Sequence, residues 1–312
     1  MSDPIDIAPD LVPEGRPQPM APGRTASRFP KSRMLLRDPG ARVGIVFILL
    51  VAAMALFAPW IAGVDPTAQN VGDALKPPGA EHWFGTDEFG RDVFSRIVFG
   101  ARPAFIVGVF SVGVSLLIGV PLGMMAGFKG GWLDVAVTGT VDVMLSFPSL
   151  LLALLIVSLV GSSLPVLVAA IGIAHVPIFV RLARSSTFLI RELDYVAASR
   201  TFGGRDFSIL RRHILPNIVG PLIVMATLSI AGAIREEAGL SFLGLGIQPP
   251  APSWGNLIRD GVNVILEAPS LALIPGLCLT ISVLAFNIVG DAIRDSLDPR
   301  DLASSVSRNA RK

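Results

Sequence analysis

Six apolar runs, each near the length needed to cross a lipid bilayer, constrain this chain more than any other feature. They fall at about residues 43 to 62, 104 to 127, 143 to 161, 164 to 180, 217 to 234 and 271 to 291. A hydrocarbon core of roughly 30 Å is crossed by about 20 helical residues. Without water, the backbone must satisfy its own hydrogen bonds, which makes the helix the natural spanning element for such runs. Composition agrees, because 52% of the 312 residues are hydrophobic and only 16% are charged, against roughly 25% in soluble domains. The sequence predicts an all-α integral membrane protein with six transmembrane helices.

An even number of crossings puts both termini on one side, and basic residues choose the side, since they are retained in the cytoplasm. With the N-terminus inside, the cytoplasmic segments hold twenty Lys and Arg; the external ones hold six, Lys76, Arg91, Arg96, Arg102, Arg235 and Arg259. Both termini are therefore expected in the cytoplasm. The expected division is a flexible tail over 1–42 with no signal-peptide apolar block, a first helix over 43–62, an external loop over 63–103, a five-helix core over 104–293 and a second tail over 294–312. In the external loop Val93, Phe94, Ile97 and Val98 recur at helical spacing and predict a surface helix.

One polar island interrupts the core. Residues 181–216 carry seven Arg and no Lys, and Gly203-Gly204 separates two short helical patterns, so a cytoplasmic helical hairpin is expected. Ala197, Ala198 and Ser199 give a low-profile helix face, and Gly203 suits the left-handed conformation that ends a helix. Phe207, Leu210 and Ile214 then form an apolar stripe, which fits either a partner's groove or the underside of the bundle.

Inside the second span Ser111, Ser115, Gly119, Gly123 and Gly127 recur every four residues. Such a stripe lets another helix backbone approach closely; a helix of the same chain is the first expectation and a second subunit the alternative. Pro121, Pro148 and Pro177 predict bends. Ionisable residues are scarce in the spans, with Asp142 expected at the boundary of the third and His175 hydrogen-bonded in a helix interface of the fourth. The external stretch 235–270 begins REEAGLSFLGLGIQPPAPSWG, whose glycines and prolines exclude one continuous helix. It either caps the bundle or shapes an outer mouth, with Glu237, Ser241, Gly244, Gly246, Pro249 and Trp254 as the candidate gate residues.

Chemistry is not expected of this chain. A phosphate-cradling loop needs GxxxxGK followed by Ser or Thr, and Gly123 to Lys129 has the wrong spacing. His82, His175 and His213 lie far apart, no serine sits in GxSxG, and Cys278 is single, so no catalytic site, metal or cofactor is expected. The basic residues cluster at span ends, as topology requires, which argues against nucleic acid. An ion-coupled transporter would keep ionisable groups near the midplane. Their scarcity means that any driving energy must come from a partner.

Four segments carry a resemblance: HWFGTDEFGRDVFSRIVFGAR (82–102), DYVAASRTFGG with RRHILPN (194–217), EAGLSFLGLGIQPPAPSWG (237–255) and LAFNIVGDAIRDSLDPR (284–300). Together they resemble the inner-membrane permease subunits of bacterial ABC importers, and more narrowly the C-type permeases of dipeptide, oligopeptide and nickel importers. The resemblance implies a type I ABC importer permease fold in the bacterial inner membrane. The solutes it implies are di- or oligopeptides, with nickel, glutathione, an opine or an oligosaccharide as alternatives. The implied partners are a homologous second permease subunit, two cytoplasmic ATP-binding subunits, and a periplasmic or lipid-anchored solute-binding protein. An ATPase-independent secondary transporter, and a channel or non-transporting scaffold, are the rivals from other classes.

The family's signature is an EAA triplet with Gly six residues after the Glu. Here the triplet falls on Ala197, Ala198 and Ser199 and the glycine on Gly203, so Ala stands for the Glu and Ser for the last Ala. The resemblance assigns ATPase coupling to Tyr195, Ala197, Ala198, Ser199, Gly203, Gly204, Phe207, Leu210, His213 and Pro216. Without the glutamate, coupling is expected through shape and apolar contact.

Overall fold

The computed structural model describes residues 38–297; most of the two expected tails lies outside the described residues. Ten helices, α1 to α10, appear among those residues, with no strand. Helix α1 (Pro39–Ala62) begins where the Asp38 carboxylate accepts hydrogen bonds from the Gly40 and Ala41 amides, with proline at the first helical position. It lies along α2 (Val93–Lys129) and α10 (Ser270–Leu297). At Gly44 a Cβ would stand 3.0 Å from the Ala285 carbonyl, so the glycine sets the α1–α10 spacing.

The expected surface helix and second span turn out to be one element. Helix α2 runs unbroken for 37 residues, about 55 Å at the helical rise and well beyond a bilayer core. Val93, Ile97, Ala101 and Ala104 keep one buried face continuous through Pro103, and Arg102 Nε donates to the Ala55 carbonyl at 2.7 Å. With that face buried, the backbone bond that Pro103 cannot make does not end the helix.

Helix α5 (Leu164–Arg191) packs along α2 over most of its length. The small-residue stripe of α2 faces it. Ser115 Oγ donates to the Gly172 carbonyl at 2.7 Å, and a Cβ would stand 2.9 Å from the Val176 carbonyl at Gly119 and 2.6 Å from the Arg184 carbonyl at Gly127. The structure thus places this stripe against a helix of the same chain.

The expected third span, 143–161, is corrected. Two helices, α3 (Gly131–Leu145) and α4 (Ser149–Val160), meet at an 89° bend. Pro148 has no amide hydrogen and disfavours helical geometry in Phe147, which accounts for the break. At 12 residues, α4 reaches only about 18 Å. Five helices of the described residues are long and apolar enough to cross alone, and a sixth crossing appears when α3 and α4 count as one broken span.

The hairpin holds α6 (Asp194–Thr201) and the short α7 (Asp206–Ile209). A π-turn over Leu210–Ile214 then leads into α8 (Leu215–Phe242). The fifth span was expected to stop at residue 234, but α8 continues to Phe242 and takes Arg235, Glu236 and Glu237 with it. Both glutamates are buried and accept serine hydrogen bonds, so charges that read as an exit from the membrane are satisfied by the protein. After a loop, α9 (Trp254–Asn263) returns against α10. One apolar core joins α2, α4, α5 and α8, and a second, around Trp254, joins α1, α2, α9 and α10.

Candidate functional site: an exposed hairpin and a packed opposite end

The hairpin turn is built by a complete glycine cap. Gly203 adopts φ +78°, its amide donates to the Arg200 carbonyl, and the Gly204 amide donates to the Ser199 carbonyl, both at 2.9 Å. These two bonds are the Schellman pattern, which satisfies the last carbonyls of α6 and reverses the chain. A Cβ on Gly204 would stand 2.7 Å from the Ser199 carbonyl, whereas Gly203 has nothing within 4 Å. Only the backbone conformation requires glycine at 203, and only the space requires it at 204.

Three aliphatic residues root the hairpin in the bundle. Val196, Ile209 and Ile214 are all buried and belong to the main core. Arg200 lies over the Phe128 ring, 4.2 Å from its centroid, which ties α6 to the end of α2. Arg191 Nη1 donates to the Gly127 carbonyl at 2.7 Å beside it. Across the turn the Tyr195 and His213 rings lie 6.0 Å apart, and Asn217 Nδ2 donates both to Tyr195 Oη, at 3.2 Å, and to the His213 carbonyl.

The expected stripe of Phe207, Leu210 and Ile214 does not share a face. Ile214 is fully buried, Leu210 packs against the core, and Phe207 is 74% exposed. The π-turn causes this: the Leu215 amide bonds to the Leu210 carbonyl, five residues back, and the extra residue rotates Ile214 away from the face that α-helical spacing gives it. The sequence reading also missed Phe202, which is 89% exposed. Its only signal was its place beside the glycine pair. The outward surface includes Ala197, Ala198, Phe202, Gly203 and Phe207, with Arg205, Arg211, Arg212 and the acidic Asp194 and Asp206 exposed around it. Pro216 is half-buried at the start of α8.

Acidic residues meet the arginines that lead into the hairpin. Arg184 makes a two-pronged bond to the Asp134 carboxylate, and Arg181 Nη2 donates to Asp142 Oδ1 at 2.6 Å. Asp142, Arg181 and Arg184 border an open cavity of 590 Å³ shared with Thr138, Ser185 and Met225.

At the opposite end, of the residues expected as a gate, Glu237, Ser241, Gly246 and Trp254 are buried, Gly244 is half-buried and Pro249 is exposed. Trp254 is fully buried; its Nε1 donates to the Ile97 carbonyl at 3.0 Å, with Gly100 against the indole. Ser241 Oγ donates to Glu237 Oε1 at 2.7 Å and accepts from the Ile247 amide at 3.1 Å. Gly246 packs onto Ser241, and Gly244 takes φ +83°. Pro249 sits in a cis bond to Pro250 in the loop that follows. Outside the spans, the hydrogen bond from Lys76 holds the Asp73 carboxyl below its usual range, and Asp73 in turn raises Lys76. Among the described residues no His, Cys, Asp or Glu cluster could hold a metal, and Cys278 is a free thiol.

A multi-span helical subunit, with one exposed apolar hairpin on arginine-rich ground, has the form of a membrane component that works through another protein. Residues 119–301 match the family described as the binding-protein-dependent transport system inner membrane component, and residues 32–78 match the N-terminal transmembrane domain of oligopeptide transport permease C. The chain belongs to this binding-protein-dependent permease family, whose members serve ABC importers alongside ATPase and solute-binding partners. It is 43% identical over 288 residues to a dipeptide transport system permease protein of Alkalihalophilus pseudofirmus, covering 92% of this chain and 93% of that protein. A glutathione transport system permease protein of Pectobacterium atrosepticum is 40% identical over 86% of this chain and 89% of its own length. A di/tripeptide permease protein of Pseudomonas aeruginosa is 43% identical over 84% and 89%. In fold the chain is similar to a chain of the MetNI methionine ABC transporter in an inward-facing conformation, with a TM-score of 0.53 and 18% identity over 65% of this chain and 97% of that one. The fold is that of a type I ABC importer permease.

Proposed function

We propose that this subunit forms half of a path for di- and oligopeptides across the bacterial inner membrane, and that its hairpin docks on a cytoplasmic ATPase. The observation that carries the docking reading is the pair of exposed phenylalanines, Phe202 and Phe207, on a turn whose own backbone bonds are made. An apolar surface of that kind gains most by being covered. Its roots in Val196, Ile209 and Ile214, together with the Arg200 contact to Phe128, join it to the ends of α2 and α8. A push on the hairpin is thereby passed to two long helices rather than absorbed in a loop.

In this reading a homologous second permease completes the path, two ATP-binding subunits sit below, and a periplasmic or lipid-anchored protein delivers solute above. Twenty basic residues against six orient both termini to the cytoplasm. The subunit does no chemistry; it supplies a coupling free energy between ATPase and path. Relatives named for dipeptides and di/tripeptides support peptide as the solute, and the glutathione permease relative makes glutathione the second reading. The two are separated by calorimetry on the solute-binding protein that partners this subunit. Reconstituted with its partners, the subunit is expected to give dipeptide uptake only with ATP. Uptake that persists without the ATPases contradicts the proposal and favours a secondary transporter.

A further inference from the structure

Helix α8 carries two glutamates within a membrane-length segment, and buried carboxylates persist there only with partners. Glu236 and Glu237 are 6% and 0% exposed, and they serve different neighbours. Glu237 accepts from Ser241, which holds the Ile247 amide and so the loop that follows. Glu236 reaches the broken span: Ser149 Oγ donates to its Oε1 at 2.6 Å. His175 Nδ1, which donates to the Ile171 carbonyl at 3.0 Å, lies 3.6 Å from Glu236 Oε2, an atom that has no hydrogen-bond partner. Gly232, one turn earlier on α8, lies beside the imidazole, where a Cβ would stand in ordinary contact, 3.4 Å from Nε2.

Ser149 is the first residue of α4, directly after the break, and α4 has no side-chain cap of its own. The Pro148 carbonyl accepts from the Leu151 and Leu152 amides, and Glu236, held by the Ser149 hydroxyl, adds a negative charge at the N-terminal end of the helix. Other ionisable groups are distant in sequence pattern: there are none on α2 between residues 103 and 128, none on α4, and none on α5 between 164 and 180 besides His175. Arg235, next to Glu236, is exposed.

We propose that Glu236, Ser149 and His175 form a latch between the broken span and the α5–α8 pair, closed in this structure and released when the path opens; the release rests on the transport reading above. Such a contact has two discrete states, because Ser149 either meets the carboxylate or leaves it. Helix α4 is the natural moving part, being short and bent 89° from α3. All three residues are positioning residues and touch no solute in this account.

The test is hydrogen exchange at the Leu151, Leu152 and Ala153 amides of the full transporter in lipid nanodiscs. Glu236→Ala and Ser149→Ala should each raise exchange about tenfold, the size expected for losing a charge-assisted bond. The double variant should rise no further, because both changes remove one interaction. Glu236→Gln keeps an acceptor for Ser149 and should stay nearer the wild type. In the wild type, a non-hydrolysable ATP analogue should raise exchange at the same amides. Additive effects in the double variant, or unchanged exchange in Glu236→Ala, overturn the latch. No response to the analogue in particles that do show ATP-driven uptake overturns its release. Absent uptake with the variant pattern intact counts against the transport reading alone.

Discussion

Helices α6 and α8 stop in the same way and lead to opposite kinds of surface. Each ends in a left-handed glycine with a Schellman bond pair: Gly203 with the Gly204 amide on Ser199, and Gly244 with the Leu245 amide on Leu240. Beyond α6 the chain turns outward. Phe202 and Phe207 are exposed and Gly203 has open space around it. Beyond α8 it turns inward, so that Gly246 packs on Ser241, a Gly255 Cβ would meet the Ala238 carbonyl, and Trp254 is sealed against Ile97. One local device serves two purposes, and packing after the turn decides which. Aromatic and glycine residues mark a docking surface at one end and a fixed scaffold at the other.

The largest effect should come from the scaffold. Trp254→Ala removes a buried indole and its bond to Ile97 and should cost about 3–5 kcal/mol, read as a lower denaturation midpoint of the purified subunit. A midpoint unchanged by this substitution would dissolve the contrast. Paired glycine variants sharpen it further. Gly255→Ala forces a methyl into the Ala238 carbonyl and should cost about 1–3 kcal/mol, while Gly203→Ala meets no atom and should cost only the left-handed strain of about 1 kcal/mol. Equal losses in the same denaturation assay would show that the hairpin turn is as tightly packed as the opposite end.

Much of this was legible in the sequence because it follows from local chemistry. The Gly203-Gly204 pair read as a helix stop, and the apolar runs read as spans. What was hidden depended on partners distant in sequence. Pro103 and Arg235 to Glu237 looked like helix ends, yet α2 and α8 run through them, since a continuous buried face and the Ser149 and Ser241 hydroxyls compensate. The Phe207, Leu210 and Ile214 stripe assumed a spacing of 3.6 residues, and the π-turn over Leu210–Ile214 shifts the register by one. Ile209 and Ile214, five apart, are the pair that goes inward. Nothing in the pattern alone distinguished Phe202, exposed beside the turn, from an apolar residue folded back.

The central claim, that the hairpin couples through exposed apolar contact, is tested most directly by Phe202→Ala combined with Phe207→Ala in the reconstituted transporter. Both rings are outside the core, so the denaturation midpoint should move by no more than about 0.5 kcal/mol equivalent. Solute-stimulated ATPase activity and uptake should fall together by at least about tenfold, since central aromatic anchors dominate docking energy. Full stimulated activity in the double variant would contradict the account.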